Sequence, residues 1–546
     1  MNPSADLPKS EALLKIVGSC TFGRNPKMSS EQTFNMMISD GYLVQTPGYK
    51  KILNLLGGGV GRGIYSSAQG GFMIAVADNR VFRVSGPANN LVSQFLFNID
   101  TFFGDISIDE NVGGQIAICD GLDLWIYSWR DGTPPQKAPL PDDPSTGLPV
   151  VPGYVTYHDG YFIVPNTQSN FWFLSPLNNA LASWNWSASG AAPVAGRILT
   201  KPTNAVAVLR APGKGNLIYV FGETVTEMWQ NVGAQLFPYQ RTSSVSIDYG
   251  CLSPTTIATM DNYVAFLGAN EKSGPVIMVS SGGGFERLST DGIDFKLADL
   301  VNPSVSYAFF TKIDGHVFYQ ITFYDPRDNF TLIYDFNTKA FFYLTDENMN
   351  FHIAEAVAFY NNTYYFVSLR DASVYELSGN YTNYDYTEPG GGAQNIYEPP
   401  RMRVCNSIEQ ADTSRFIANS LTFQMEQGVD EFYPGSKLTF ITSESGIVLC
   451  QERPEGYVGT FFSTERVVDP YVPRVDMSVS RDSGQTFGNF VSVGLNPLGR
   501  RKNKVVFYRL GDVNDLVVQF RFWAKGRVTV GNGVFQARVA EGERMK

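Results

Sequence analysis

Charged side chains make up only 17% of this 546-residue sequence, and it contains only three histidines. His158, His316 and His352 lie far apart, with no HxH or HExxH spacing, so position alone assembles neither a zinc centre nor a Ser-His-Asp triad. A structural role is expected of each. Cysteine is also scarce: Cys20, Cys119, Cys251, Cys405 and Cys450 are odd in number and form no CxxC. That spacing excludes a disulfide framework or zinc knuckle and leaves small buried hydrophobes, made under reducing conditions. No apolar run reaches about 18 residues, so no membrane span is expected. The first residues lack the charged-then-apolar order of a secretion signal. Cations are outnumbered, giving a formal net charge of −10 and a pI near 5.0. This argues against a general nucleic-acid binder, whose affinity rests on Lys and Arg against phosphate. It suits a soluble surface, or a wall that should not hold DNA tightly.

Aromatics and glycine are plentiful, with 39 Phe, 28 Tyr and 52 Gly. A large core with many turns follows, as in an all-β protein. The stretch Tyr157–Trp186 sets the pattern: a strand, the Asp159-Gly160 turn, the apolar run Tyr161–Val164, a polar turn, and the strand Phe171–Leu174. Period-2 aromatic and β-branched runs bounded by Asp-Gly or Asn-rich turns signal hairpins. Comparable meanders start near Gly70, Gln115, Ala205, Thr256, Ser306 and Ala356. Their spacing, roughly 40–55 residues, is that of propeller blades. Such sheets hide their faces by packing radially. The expected fold is an all-β β-propeller of six or seven blades with an additional C-terminal β-sandwich-like module. The expected boundaries are 1–66 for an N-terminal arm and first strands, 67–380 for the propeller, 381–400 for a linker or loop rich in Tyr, Gly and Pro, and 401–546 for the C-terminal module. Glu11–Val17 reads as a helical turn or two.

Few motifs suggest chemistry. The cluster Gly57, Gly58, Gly59, Gly61 and Gly63 lacks dinucleotide or phosphate-loop spacing and reads as a hinge or close backbone crossing. Asp78, Asp120, Asp159, Asp261 and Asp314 sit at turns, where carboxylates cap backbone. Ser480–Phe487 matches S-x-D-x-G-x-T-aromatic, the Asp-box hairpin of sialidase-like propellers, in which Ser and Asp satisfy turn donors and Gly takes positive φ. No catalytic, cofactor-binding or metal-ligating residue is assigned, and no cofactor is expected. Candidate interface or channel contacts are the basic run Arg500, Arg501, Lys502, Lys504 and Arg509, and the aromatic loop residues Tyr381, Tyr384 and Tyr386. For the basic run a solvated hairpin tip is the favoured reading, ahead of docking onto an acidic neighbouring subunit or brushing passing DNA.

Several segments together resemble the tail hub, or nozzle, of short-tailed bacteriophages, also called the packaged-DNA stabilisation protein. They are Phe34-Asn35 with Thr46-Pro47-Gly48; Arg62-Gly63-Ile64-Tyr65; Ile247–Cys251 with Phe266-Leu267-Gly268 and Gly284–Ser289; and the Asp-box run with Arg509-Leu510-Gly511 and Asp515. The resemblance implies a non-enzymatic structural virion protein, assembled in the host cytoplasm. It implies a homohexamer ringing the DNA exit channel below the portal and adaptor, retaining packaged DNA, and anchoring a tail plug or needle and tailspikes or fibres. Contact with passing double-stranded DNA would be transient. The alternative is a carbohydrate-active, sialidase-like propeller enzyme.

Overall fold

The computed structural model describes residues 10–22, 31–88, 90–184, 195–235, 237–282, 284–391, 393–409, 415–427, 438–443, 446–451, 473–495, 502–524 and 526–539. Seven antiparallel sheets follow one another along the chain, each a local meander. Their innermost strands are Gly61–Ser67, Ser107–Glu110, Thr156–His158, Ala205–Arg210, the Gly250–Cys251 and Ala258–Met260 pair, Ser306–Ile313, and Ala354–Tyr360. The last inner strand packs against the first and closes the circle. The protein is a seven-bladed β-propeller.

Turn chemistry sets the blades locally. Both residues have positive φ at Asp159-Gly160, Asp314-Gly315 and Asn361-Asn362, and also at Asp40-Gly41 outside the blades. That is the two-residue turn whose twist matches flanking strands. The faces between blades are dry. Phe221, Phe266 and Phe285 meet edge to face between blades four and five, with centroids 5.0–6.4 Å apart. Trp172 is buried against Trp229 at 5.2 Å between blades three and four. Each such side chain contributes roughly 1.5–3 kcal/mol by burial. Trp186, at the end of the stretch read as the repeat prototype, lies outside the described residues.

The circle is closed by a strand from far upstream. Gly48–Asn54 pairs antiparallel with Ser373–Ser378 and becomes the fourth strand of blade seven. Tyr384–Asp385 then pairs parallel with Tyr49 and Lys50, and Ile396–Tyr397 adds a further strand. The 381–400 segment is thus sewn onto the outside of this blade. Gly61 lies where a Cβ would stand 2.2 Å from Val367 Cγ2, so part of the glycine cluster marks a close crossing between blades one and seven.

Beyond residue 400 the chain builds a sandwich. One sheet orders Met36–Ser39, Tyr42–Gln45, Val528–Val539, Phe416–Gln427 and Lys502–Val513, with Ser10–Leu14 also paired to Val528–Val539. The other contains Arg401–Val404, Asp515–Trp523, Arg474–Ser480 and Val491–Gly494. Phe423, Phe507, Phe520 and Phe522 fill the space between them. The short strand Gln32–Phe34 joins Arg401–Val404 to Ala340–Leu344, so blade six and the sandwich share one ten-stranded sheet.

The helical reading of Glu11–Val17 is corrected: Ser10–Leu14 is a strand in register with Gly533–Ala537. Seven residues cannot repay helix nucleation in isolation, whereas a waiting strand edge supplies a ready ladder of backbone partners. One helix unforeseen from the sequence, Asp291–Ala298, is capped by Thr290, whose side chain accepts from Ile293 N. No helix among the described residues is long and apolar enough to cross a membrane.

Candidate functional site

The inner strands carry ionisable side chains to the propeller axis. Tyr65 of blade one, Asp109 of blade two, Tyr307 of blade six and Glu355 of blade seven lie on these strands, with Asp105, Tyr154 and Tyr324 nearby. Tyr65 lies close to Asp109, whose charge helps raise its phenol. Asp109 accepts from Tyr157 N at 2.6 Å and Glu110 N at 2.8 Å. Burial still pushes its carboxyl up to about 6. Burial holds Glu355 well above the usual carboxylate range, neighbouring Asp105 adds to this, and Arg62 opposes it. Glu355 Oε2 is buried without a hydrogen-bond partner. Asp105 is raised by the same loss of solvent. Burial likewise raises the phenols of Tyr65, Tyr154, Tyr307 and Tyr324. The axis is therefore lined by acids and phenols that resist ionisation.

Arg62 stands beside this cluster but has no donor to spare. Its Nε donates to Gly104 O at 2.9 Å and its Nη1 to Asp78 O at 2.9 Å and Thr101 O at 2.7 Å. Nη2 donates to Thr101 Oγ1 and Phe103 O, both at 2.9 Å. Five N–H groups meet five oxygens. Burial lowers its pKa, opposed by Asp120 and Glu355. Arg62 is a clamp on the 101–104 loop.

The motif residues are joints of the framework. Asn35, at φ 54°, is buried where propeller, sandwich and outer segment meet. Its Nδ2 donates to Thr345 Oγ1 at 2.7 Å and Pro400 O at 3.0 Å, and its Oδ1 accepts from Thr345 N at 2.8 Å. A Cβ on Gly48 would lie 2.5 Å from Asn383 O, so only glycine admits the segment that docks there. The Asp-box turn connects two sandwich strands. Asp482 accepts from Thr486 N at 2.9 Å, Gly484 has φ 84°, and Ser483 Oγ donates to Asp515 Oδ2 at 2.5 Å.

Of the basic run, Arg500 and Arg501 lie outside the described residues. Lys502, Lys504 and Arg509 are exposed on Lys502–Val513, an edge strand of the sandwich. The tyrosines sit elsewhere. Tyr384 is buried, stacked on Tyr49 at 4.3 Å, with its hydroxyl donating to Thr345 O at 2.9 Å. Tyr386 bonds the Tyr49 hydroxyl and Glu347, each at 2.6 Å, and Tyr381 donates to Glu376 at 3.1 Å. These rings fasten the 381–400 segment to blade seven, and Tyr384 has no face for a partner.

Each histidine has local bonds. His158 meets the Tyr239 hydroxyl at 2.7 Å and Gly215 O at 3.0 Å. His316 pairs with Asp335 at 2.9 Å. His352 accepts from Ala354 N at 3.3 Å. The axial acids and two buried arginines escaped sequence reasoning. Arg401 Nε donates to Gln45 Oε1 at 2.9 Å and its Nη1 to Ala524 O at 3.0 Å. Arg403 binds Ile16 O at 2.8 Å, Ser19 O at 2.9 Å and Thr33 Oγ1 at 3.0 Å, and pairs with Glu31. The available signal was their i, i+2 spacing in an otherwise apolar strand, which places both on one face.

Comparison with known proteins gives one family match. The model of the phage stabilisation family, described as "Bacteriophage P22 Gp10, beta-propeller", matches residues 27–380. No curated protein matches the sequence. Among solved structures, the N-terminal domain of Nup159 superposes with a TM-score of 0.37 at 9% identity, over 64% of this chain and 98% of that one. The extracellular domains of BT4673 and BT3049 from B. thetaiotaomicron also give 0.37, each at 11% identity. They are matched over 62% and 66% of this chain and 40% and 51% of their own.

Proposed function

This chain belongs to the phage stabilisation family of bacteriophage P22 Gp10, a family of structural phage β-propellers, and from that premise we propose that it is the tail hub of a short-tailed phage. Six copies ring the DNA exit channel below the portal and adaptor, retain the packaged genome, and carry a plug or needle and tailspikes or fibres. The chain works as a building block and not as an enzyme. The observation that supports a ring of copies is the crowded axis of the single propeller. Side chains from blades one, two, six and seven come within interaction range of one another there, and loss of solvent raises both Asp109 and Glu355, which leaves too little room for a hydrated duplex. A passage for DNA must then lie between copies. The net charge of −10 suits such a wall, because phosphate is not held by it. The shared ten-stranded sheet makes each subunit stiff across its two bodies. Imaging the purified protein tests this: six-fold annuli are expected, and a monomer that cleaves glycans would overturn it.

A second reading, a carbohydrate-active enzyme, draws on Tyr65 close to Asp109, a phenol beside a carboxyl raised to about 6. Against it, Arg62 has no N–H left for a substrate carboxylate. Glycan hydrolysis that vanishes in Tyr65→Phe would favour this reading.

A further inference from the structure

The 101–104 loop presents two large aromatic side chains to solvent. Phe102 is 55% exposed and Phe103 78%, and Leu122 beside them is 51% exposed. Exposed phenylalanines on a slack loop would mean little, but this loop is held at three carbonyls by Arg62. Thr101 Oγ1 also donates to Asp120 O at 3.3 Å. Lys137 bridges Asp100 at 2.6 Å and Asp123 at 2.7 Å, pinning the loop to the turn that carries Leu122. The result is a stiff apolar prong flanked by two carboxylates that share one cation. A pre-ordered aromatic anchor loses little entropy on docking.

The chain carries a surface of opposite character on its other body. The edge strand Lys502–Val513 exposes Lys502, Lys504 and Arg509, and between them Tyr508 at 72%. Among the described residues it pairs on one side only, with Phe416–Gln427. Cations flanking an exposed ring complement phenylalanines beside two carboxylates that share one lysine and so keep one net negative charge, through ring–ring and cation–π contact.

We infer that the prong of one copy docks on the Lys502–Val513 edge of a second copy of this chain. Two different patches meeting head to tail generate a ring or a filament. The inference rests on the ring reading above and names its contact. The test uses the full chain and measures mass in solution across concentration. Phe102→Ser with Phe103→Ser should weaken self-association at least about thirty-fold, the loss expected of a hot spot. Lys504→Glu with Tyr508→Ser should do the same, and both variants should keep the wild-type circular dichroism and melting temperature. Mixed in equal amounts, the two defective proteins still share one good contact and should form a dimer and nothing larger. Wild-type association unchanged in both variants would overturn the contact and leave the ring intact. A wild type monomeric at its highest soluble concentration would overturn both.

Discussion

At the seam between propeller and sandwich, Arg401 and Arg403 are buried among backbone carbonyls, with Glu31 against Arg403. Around the propeller axis, Asp105, Asp109 and Glu355 are half-buried with little of opposite sign, since Arg62 is committed to a loop and Arg210 acts on Asp109 from an exposed position. The seam keeps its charge and uses it as a multi-armed tie. The axis suppresses its charge by raising pKa values. A buried ion is tolerable when every donor is met, and otherwise the group neutralises. The seam therefore serves assembly of the chain with itself, while the axis is a polar centre whose acids resist ionisation.

Breaking the seam should have the largest effect. Arg403→Ala strands Glu31 and three oxygens and should cost about 3–5 kcal/mol in denaturant unfolding. A loss below about 1 kcal/mol would mean that water replaces the guanidinium. Inside the propeller, burial holds the His352 imidazole down to about 4 from its ordinary 6.5. The unfolded chain takes up a proton that the native protein refuses, so this stability is complete above pH 6.5 and lost as pH falls to 4. Wild type should lose roughly 3 kcal/mol more than His352→Gln across that window, measured by unfolding at several pH values. Gly48→Ala forces a Cβ onto the 381–383 backbone and should cost about 1–3 kcal/mol, with limited proteolysis appearing first in the 381–400 segment. At the axis the sign reverses. Glu355 has a raised native pKa, so it supports folding at low pH and opposes it as pH rises above 4.5. Glu355→Gln should therefore be more thermostable than wild type at pH 8, and the difference should shrink toward pH 4. A destabilised variant at pH 8 would show that the axis holds a compensated ion. Smallest of all, Cys20, Cys119, Cys251 and Cys405 are buried, with pKa values raised to about 11 or 12 by loss of solvent. A thiol reagent at pH 7 should leave all four unmodified in the native protein by mass spectrometry.

The blades were legible because their signal is local. Asp159-Gly160 or Asp314-Gly315 between alternating apolar runs determines a hairpin without help from the rest of the chain. The strands that join the bodies were not legible. Gly48–Asn54 reads as an irregular stretch with two lysines, and only the exposed edge of Ser373–Ser378 gives it a place. Gln32–Phe34 has three residues and no periodicity to detect. At the candidate site, Tyr65 stood inside a motif, but nothing near Asp109 or Glu355 in sequence separates an axial carboxylate from a surface one. The tyrosines of the 381–400 segment were noticed for their abundance, while their partners, Tyr49 and Thr345, lie far upstream or on another blade. The basic run was visible as composition, and its alternation along an edge strand needed the sheet.

The closure of blade seven also bears on synthesis. Gly48 leaves the ribosome early, yet its partner Ser378 is about 330 residues behind it, roughly a quarter of a minute to a minute of translation. Ser10–Leu14 waits longer still, for Gly533–Ala537. Throughout that interval the nascent chain holds several strands whose partners are still to come, Gln32–Phe34 and Tyr42–Gln45 among them, and an open circle of blades, each an invitation to neighbouring polysome products. Host chaperones that shield such edges would set the yield of finished subunits, and a product cut short before residue 528 could not fasten its own beginning.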